Sequence, residues 1–296
     1  MTIDMFDNLS EKNFNPMNDI IFKFIFGKEE RKDITIDFLN TVLAESLEHD
    51  IKDIFFSQSE LSPINFTDKL TRLDVACVLN SGEQVDVEVQ VINQQNITKR
   101  TLYYWAQMYL MSLKQGQVYQ DLKPAFTINI LHFAILPQSE PHSMYSIYNS
   151  KTFDRLNNDM ELHFLEIPKF ANAPKKPVCE LTKMERWLAY FAGKLNDSEK
   201  EELIMTDAAI KSAMEAAKIF FNDTAERREY INREMATMDY KSSILAARNE
   251  GENSSSIATA LAMLKDKEPL TKIVKYSRLT SDAIKELAIK NNLPLT

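Results

Sequence analysis

The sequence predicts an α/β chain: a sheet with helices on both faces, followed by an all-α C-terminal region. Three observations carry this. Strand-like and helix-like segments alternate up to residue 167, and the run 125–136 (AFTINILHFAIL) is apolar on both alternating faces. Only helical periodicity follows residue 178.

In chain order, residues 18–26 (NDIIFKFIF) and 33–44 (DITIDFLNTVLA) place apolar side chains at helical spacing. Asn18 or Asp19 suits the first N-cap and Gly27 the stop. Residues 51–57 (IKDIFFS), 70–79 (LTRLDVACVL) and 83–92 (EQVDVEVQVI) read as strands, rich in β-branched residues. Residues 97–114 form a helix, 125–136 a strand covered on both faces, and 160–167 (MELHFLEI) a further strand. The segment 171–178 (ANAPKKPV) breaks the pattern with its prolines and lysines, dividing the chain into 1–174 and 175–296. Helices are expected over 180–194, 200–237 in one or two pieces, 239–265, 270–276 and 281–290. The last two, joined by a short turn, have a loose helix-turn-helix outline, which also suits plain packing.

The 296 residues are 44% apolar, enough for a substantial core, and 26% charged. The first residues show no basic-then-apolar export signal, and the longest apolar stretch is broken by Asn129 and His132, so no membrane association is expected. Cys77 and Cys179 form neither a metal-ligand spacing nor a disulfide framework, which points to a reducing cytoplasm. The net charge of −8 argues against a broad basic coat for nucleic acid. It leaves room for a nuclease, because a divalent cation and a few local Lys and Arg suffice to hold a phosphate.

Between the second and third strands lies Asn80-Ser81-Gly82, a three-residue hairpin loop with Gly where a left-handed residue is needed. With Leu79 facing Glu83, Asp74 lies opposite Glu88 and Arg72 opposite Gln90. One face then carries Leu73, Val75, Cys77, Leu79, Val85, Val87, Val89 and Val91. The other carries Arg72, Asp74, Ala76, Val78, Gln84, Asp86, Glu88 and Gln90. Carboxylates gathered on one patch repel by about 1 kcal/mol per pair at about 4 Å in water and about 4 at an effective dielectric of 20. A hard cation relieves this, and Mg²⁺ takes one or two carboxylates plus waters and phosphate oxygens. The same alternation also suits the wet face of a half-exposed sheet. On the next helix, Arg100, Tyr104, Gln107 and Met111 share one stripe. Laid over the carboxylates, that stripe brings the Arg100 charge to a phosphate.

These residues resemble the PD-(D/E)XK nuclease superfamily, and more narrowly its recombination-promoting nuclease/putative transposase (Rpn) family. The resemblance rests on Leu73-Asp74-Val75, Val87-Glu88-Val89-Gln90, Lys99-Arg100 and Tyr103-Tyr104. It extends to Asp19-Ile20-Ile21-Phe22-Lys23 with Phe26-Gly27, Phe38-Leu39-Asn40, Gly116-Gln117-Val118-Tyr119 and the stretch from Leu165 to Phe170. The tail with Ile273, Leu279 and Ile284 also matches, so that it spans roughly residues 16–290. It implies a nuclease-like core with a central mixed sheet flanked by helices, cleaving DNA with Mg²⁺ or another divalent cation. By position it implies Asp74 and Glu88 as metal ligands, with the Val89 carbonyl as a possible further oxygen. Gln90 stands where the superfamily has Lys; it orients a water but brings no charge, which Arg100 or Lys99 would supply. Lys99 and Tyr104 are substrate-binding candidates.

Asp19 is expected chiefly as a helix cap, with an accessory place near the metal under the resemblance. Lys23 is expected as a surface charge, Asp86 as an accessory at most, and His49, His132, His142 and His163 without a role, His132 inside a buried strand. Two functions follow: a metal-dependent DNA endonuclease tied to recombination, mobile elements or phage defence, or a catalytically weak or inactive nuclease-like interaction protein. The mixed-charge C-terminal helices suggest a homo-oligomer or a regulatory arm.

Overall fold

The computed structural model describes residue 9 and residues 13–57, 60–61 and 71–295; for 60–61 and 71–72 it describes the backbone alone. Helix α1 (Asp19–Phe26) starts at Asn18, whose side chain accepts the Ile20 N–H at 3.0 Å. Helix α2 (Lys32–Val42) follows, then β1 (Ile54–Phe56), β2 (Glu60–Leu61), β3 (Thr71–Arg72), β4 (Val75–Leu79) and β5 (Gln84–Gln90). Next come α3 (Ile97–Met111), β6 (Ala125–Leu131), β7 (His142–Tyr145), β8 (Met160–Glu166) and α4 (Ile167–Ala171). The chain continues as α5 (Lys183–Ala192), α6 (Asp197–Thr206), α7 (Ala208–Asn222), α8 (Thr224–Lys265), α9 (Leu270–Ser277) and α10 (Ser281–Lys290).

Six strands form one mixed sheet in the order β1-β4-β5-β6-β8-β7, while β2 and β3 pair separately. The β1, β4 and β5 strands are antiparallel neighbours, β5, β6 and β8 run parallel, and β7 closes the edge antiparallel to β8. All seven residues of β6 are buried, as a central parallel strand with helices on both faces requires. Helix α3 covers one face through Met108, beside Leu73, Ala76 and Ala125. The other face packs Val75, Val87 and Ile128 against α1, α2, α5 and α7. Its centre is aromatic: Phe26 lies 4.7 Å from Phe22, 5.8 Å from Phe38 and 5.7 Å from Trp187, centroid to centroid.

That aromatic centre moves the expected boundary. The break after residue 174 is a surface connection, because Trp187, Phe191, Leu203, Ile210 and Phe220 beyond it are buried with the sheet. The compact units are Met1–Arg233 and Glu234–Thr296. The second has its own small core of Ala260, Leu264, Ile273, Ile284 and Ala288. No interruption falls near residue 238, where two helices were expected, since α8 is continuous.

Other differences are local. Strand β6 stops at Leu131, so His132 is exposed rather than buried in a strand. Strand β7 was not anticipated: its residues HSMY carry no β-branched pattern, and the edge of β8 recruits them. It brings His142 to His163, Nε2 to Nδ1 at 3.0 Å, although the sequence assigned neither a role. Residue 70, the expected start of the second strand, lies outside the described residues. Among the described residues no helix is long and apolar enough to cross a membrane.

Candidate active site

The hairpin between β4 and β5 has the expected register. Leu79 N–H donates to the Glu83 carbonyl at 2.8 Å, and Gly82 N–H to the Leu79 carbonyl at 2.9 Å. Gly82 has φ +104°, a conformation that favours glycine. The pairs Val75↔Val87 and Ala76↔Asp86 follow, which sets Asp74 opposite Glu88. At Asp74 the chain bends ahead of β4, and the two acidic residues interlock. Asp74 N–H donates to Glu88 Oε1 at 2.9 Å, and Val89 N–H donates to Asp74 Oδ2 at 3.1 Å. The bend also ends the strict alternation. Leu73 packs on the α3 side with Ala76 and Met108, not with Val75 and Cys77 as expected.

Two cations close on this pair from opposite layers. Lys23 Nζ, from α1, lies 2.9 Å from Asp74 Oδ1, so it is a partner of the acidic pair rather than a free surface charge. Arg100, from α3, donates through Nη2 to Glu88 Oε2 at 2.5 Å and through Nη1 to Gln90 Oε1 at 3.1 Å. Gln90 Nε2 donates in turn to Glu88 Oε2 at 3.3 Å. The Arg100 guanidinium sits 5.1 Å from the Tyr104 ring centroid. The rest of the α3 stripe departs: Gln107 bonds Tyr103 Oη at 2.8 Å, and Met111 is exposed. Lys99 is exposed beside Arg100. Asp19 leaves the N-cap to Asn18 and pairs with Arg233 Nε at 2.6 Å.

Burial gives the site its electrostatic character. Asp86 is 0% and Glu88 3% exposed, so the polar face of the hairpin is not a wet sheet surface. Desolvation, then the charge of Asp74, pushes Glu88 up to about 7 despite Arg100. Asp86, with neither carboxyl oxygen hydrogen-bonded, is raised well above the carboxylate range by burial and then by Glu88 and Asp74. Burial also raises the Tyr104 hydroxyl, and Glu88 and Asp86 add to it.

This donor set fits a hard divalent cation. Asp74 and Glu88 offer adjacent carboxylates of the kind Mg²⁺ uses with waters and phosphate oxygens, and behind them Asp86 is a buried carboxyl with neither oxygen hydrogen-bonded. Among the described residues no group of three or more His, Cys, Asp or Glu is arranged to hold a metal. The protein would therefore supply two side chains, leaving other positions to solvent and substrate.

Lys23 was missed because it lies some fifty residues from Asp74 on another element. Its only sequence signal is its place at the end of Asp19-Ile20-Ile21-Phe22-Lys23.

Comparison with curated proteins and with solved structures gives no match. A model of the PD-(D/E)XK nuclease family transposases matches residues 16–247, a span containing the hairpin, α1, α3 and every contact of the candidate site. It stops short of the tail around Ile273 and Ile284, which the sequence resemblance had included. On this match over most of its length, the chain belongs to the PD-(D/E)XK nuclease family transposases.

Proposed function

We propose that the chain is a metal-dependent DNA endonuclease, hydrolysing phosphodiester bonds, with Asp74 and Glu88 as the ligands of Mg²⁺ or another divalent cation. One observation carries this reading: half-buried Asp74 and buried Glu88, interlocked through the Asp74 and Val89 N–H groups, are flanked by Lys23 and Arg100. The bound cation would neutralise phosphate charge and make water a better nucleophile. Lys23 stands in for the lysine that the superfamily carries at the position of Gln90. Its ammonium orients Asp74 and, 39% exposed, is free to turn toward a phosphate oxygen. Gln90, holding both Arg100 and Glu88, orients a water; Arg100 offers paired N–H donors to the phosphate. Lys99 and Tyr104 bind the substrate strand along α3, and Asp19 is an accessory that anchors the start of α1 through Arg233. We further propose a role in recombination, mobile elements or phage defence, which the family suggests, and a cytoplasmic place, which the two unpaired cysteines suggest.

The direct test is plasmid nicking with Mg²⁺ by wild type, Asp74→Ala and Glu88→Ala. Wild type is expected to nick and each variant to lose about 100-fold or more; equal nicking by all three overturns the assignment.

A second reading has its own support: a catalytically weak nuclease-like interaction protein acting through its helical C-terminal region. Every oxygen of Asp74 and Glu88 already has a protein partner: Lys23, the Val89 and Asp74 N–H groups, and Arg100 with Gln90. It predicts no nicking and no effect of metal on stability. In either case we propose that the C-terminal helices mediate self-association. Light scattering of a chain lacking residues 240–296 should show a smaller assembly, and an unchanged one contradicts this.

A further inference from the structure

We propose that the three helices at the end of the chain form a second nucleic-acid site, a helix-turn-helix that docks on duplex DNA. The inference is independent of the nuclease reading, and the match to the nuclease family ends at residue 247, before this module.

The module is the last part of α8 with α9 and α10, packed on Ala260, Leu264, Ile273, Ile284 and Ala288. An eight-residue helix, the three residues Arg278, Leu279 and Thr280, and a ten-residue helix follow one another. A turn of three to four residues joins the helices of this motif. The turn is tightly made. Arg278 takes φ +61°, the left-handed conformation that glycine commonly supplies at a helix end, and its N–H caps the Val274 carbonyl at 3.1 Å. Buried Ser277 donates to the Ile273 carbonyl at 2.7 Å and accepts the Leu279 N–H at 3.3 Å. Leu279 is thereby drawn against the core, and Thr280 caps α10 through the Ala283 N–H at 3.3 Å.

This places Ile284 and Ala288 inward and leaves Asp282, Lys285, Glu286 and Ile289 on the outer face of α10. Ile289 is 75% exposed. A short helix with acceptors, a cation and one apolar tip has the chemistry of a major-groove reader, carboxylates accepting from cytosine N4 and an aliphatic group meeting the thymine methyl. The electrostatics select the partner. Residues 256–296 hold seven Lys and Arg against four Asp and Glu, a net of +3 within a chain of net −8. Lys272, Lys275 and Arg278 lie on and just after α9, the helix that crosses the phosphate backbone in this motif. The pairs Lys272–Glu268 and Lys285–Asp282 are solvent-exposed and exchange readily for phosphate.

The test uses the full-length chain carrying Asp74→Asn and Glu88→Gln, in EDTA, so that binding is read without cleavage. Fluorescence anisotropy with a labelled 30-base-pair DNA duplex is recorded across a salt series. A second protein adds Lys272→Gln, Lys275→Gln and Arg278→Asn, with circular dichroism confirming equal helicity. Weaker binding is expected, with the slope of log affinity against log salt reduced by roughly 2 to 3, about 0.9 per lost phosphate contact. An unchanged affinity and slope overturns the proposal. So does tighter binding of single-stranded RNA than of duplex DNA, or equal competition by polyglutamate. Nicking by the otherwise wild-type chain is scored separately, so loss of duplex binding and loss of cleavage remain distinguishable.

Discussion

Replacing His142 with phenylalanine removes one titrating ring from a buried polar chain and is expected to flatten the acid side of the stability curve. His142 Nε2 is 3.0 Å from His163 Nδ1, His163 Nε2 is 3.0 Å from Glu161 Oε2, and Arg155 Nη2 donates to Glu161 Oε1 at 2.7 Å. The two imidazoles stack at 5.3 Å, an arrangement phenylalanine can keep. Burial, and then the neighbouring His163, lowers His142 from 6.5 to about 4. A folded pKa below the unfolded one means that the unfolded chain takes up the proton first. The stability is therefore complete above about pH 6.5 and drains away as pH falls toward 4. At about 1.4 kcal/mol per pH unit the full effect is about 3 kcal/mol, of which about 2 is lost by pH 5. Glu161 acts lower: despite its burial, hydrogen bonds from His163, Ser46 and Arg155 hold it at about 2, so its contribution disappears between its ordinary 4.5 and that value. Glu88, raised to about 7, pulls the other way, since a raised carboxyl favours the folded state at lower pH. The difference between wild type and variant cancels that pull. Urea unfolding at pH 8 and pH 5 measures it: wild type should lose about 2 kcal/mol more than His142→Phe over this interval. The variant also carries a pH-independent loss of about 1 kcal/mol for the missing hydrogen bond. Equal pH dependence in the two proteins refutes the reasoning.

Other outcomes follow from the same contacts. Lys23→Gln should leave the fold intact and lower nicking about 100-fold, the usual cost of one charge-stabilising donor; Lys23→Arg should recover part of it, and full activity in Lys23→Gln would place the needed charge elsewhere. Phe26→Ala removes a ring packed on Phe22, Phe38, Trp187 and Phe191 and should cost about 3–5 kcal/mol in urea unfolding. A loss under about 1 kcal/mol would mean that α5 is not part of the sheet's core.

How much of this the sequence shows depends on the range of the interaction. The hairpin register follows from a local count, three loop residues and two alternating strands, so Asp74 and Glu88 are opposed without knowledge of anything else. Arg100 follows from helical spacing, one element away. Lys23 does not, because its partner Asp74 lies at the head of a distant strand and only the packing of α1 on the sheet joins them. Leu73 changes face because backbone hydrogen bonds to Glu88 and Asp74 bend the chain just where the pattern is counted. The boundary after residue 174 misleads because proline and lysine mark a surface connection equally well inside a domain. Trp187 and Phe191, beyond it, are buried against Phe26. His142 reaches His163 only because an edge strand without a β-branched pattern is recruited by β8.

The central claim is that Asp74 and Glu88 share one cation. Crystals soaked in Mn²⁺ test it through anomalous scattering. One strong peak is expected within coordination distance of both carboxylates, with Lys23 and Arg100 displaced from the oxygens they now hold. A peak elsewhere, or none while both ion pairs persist, contradicts it.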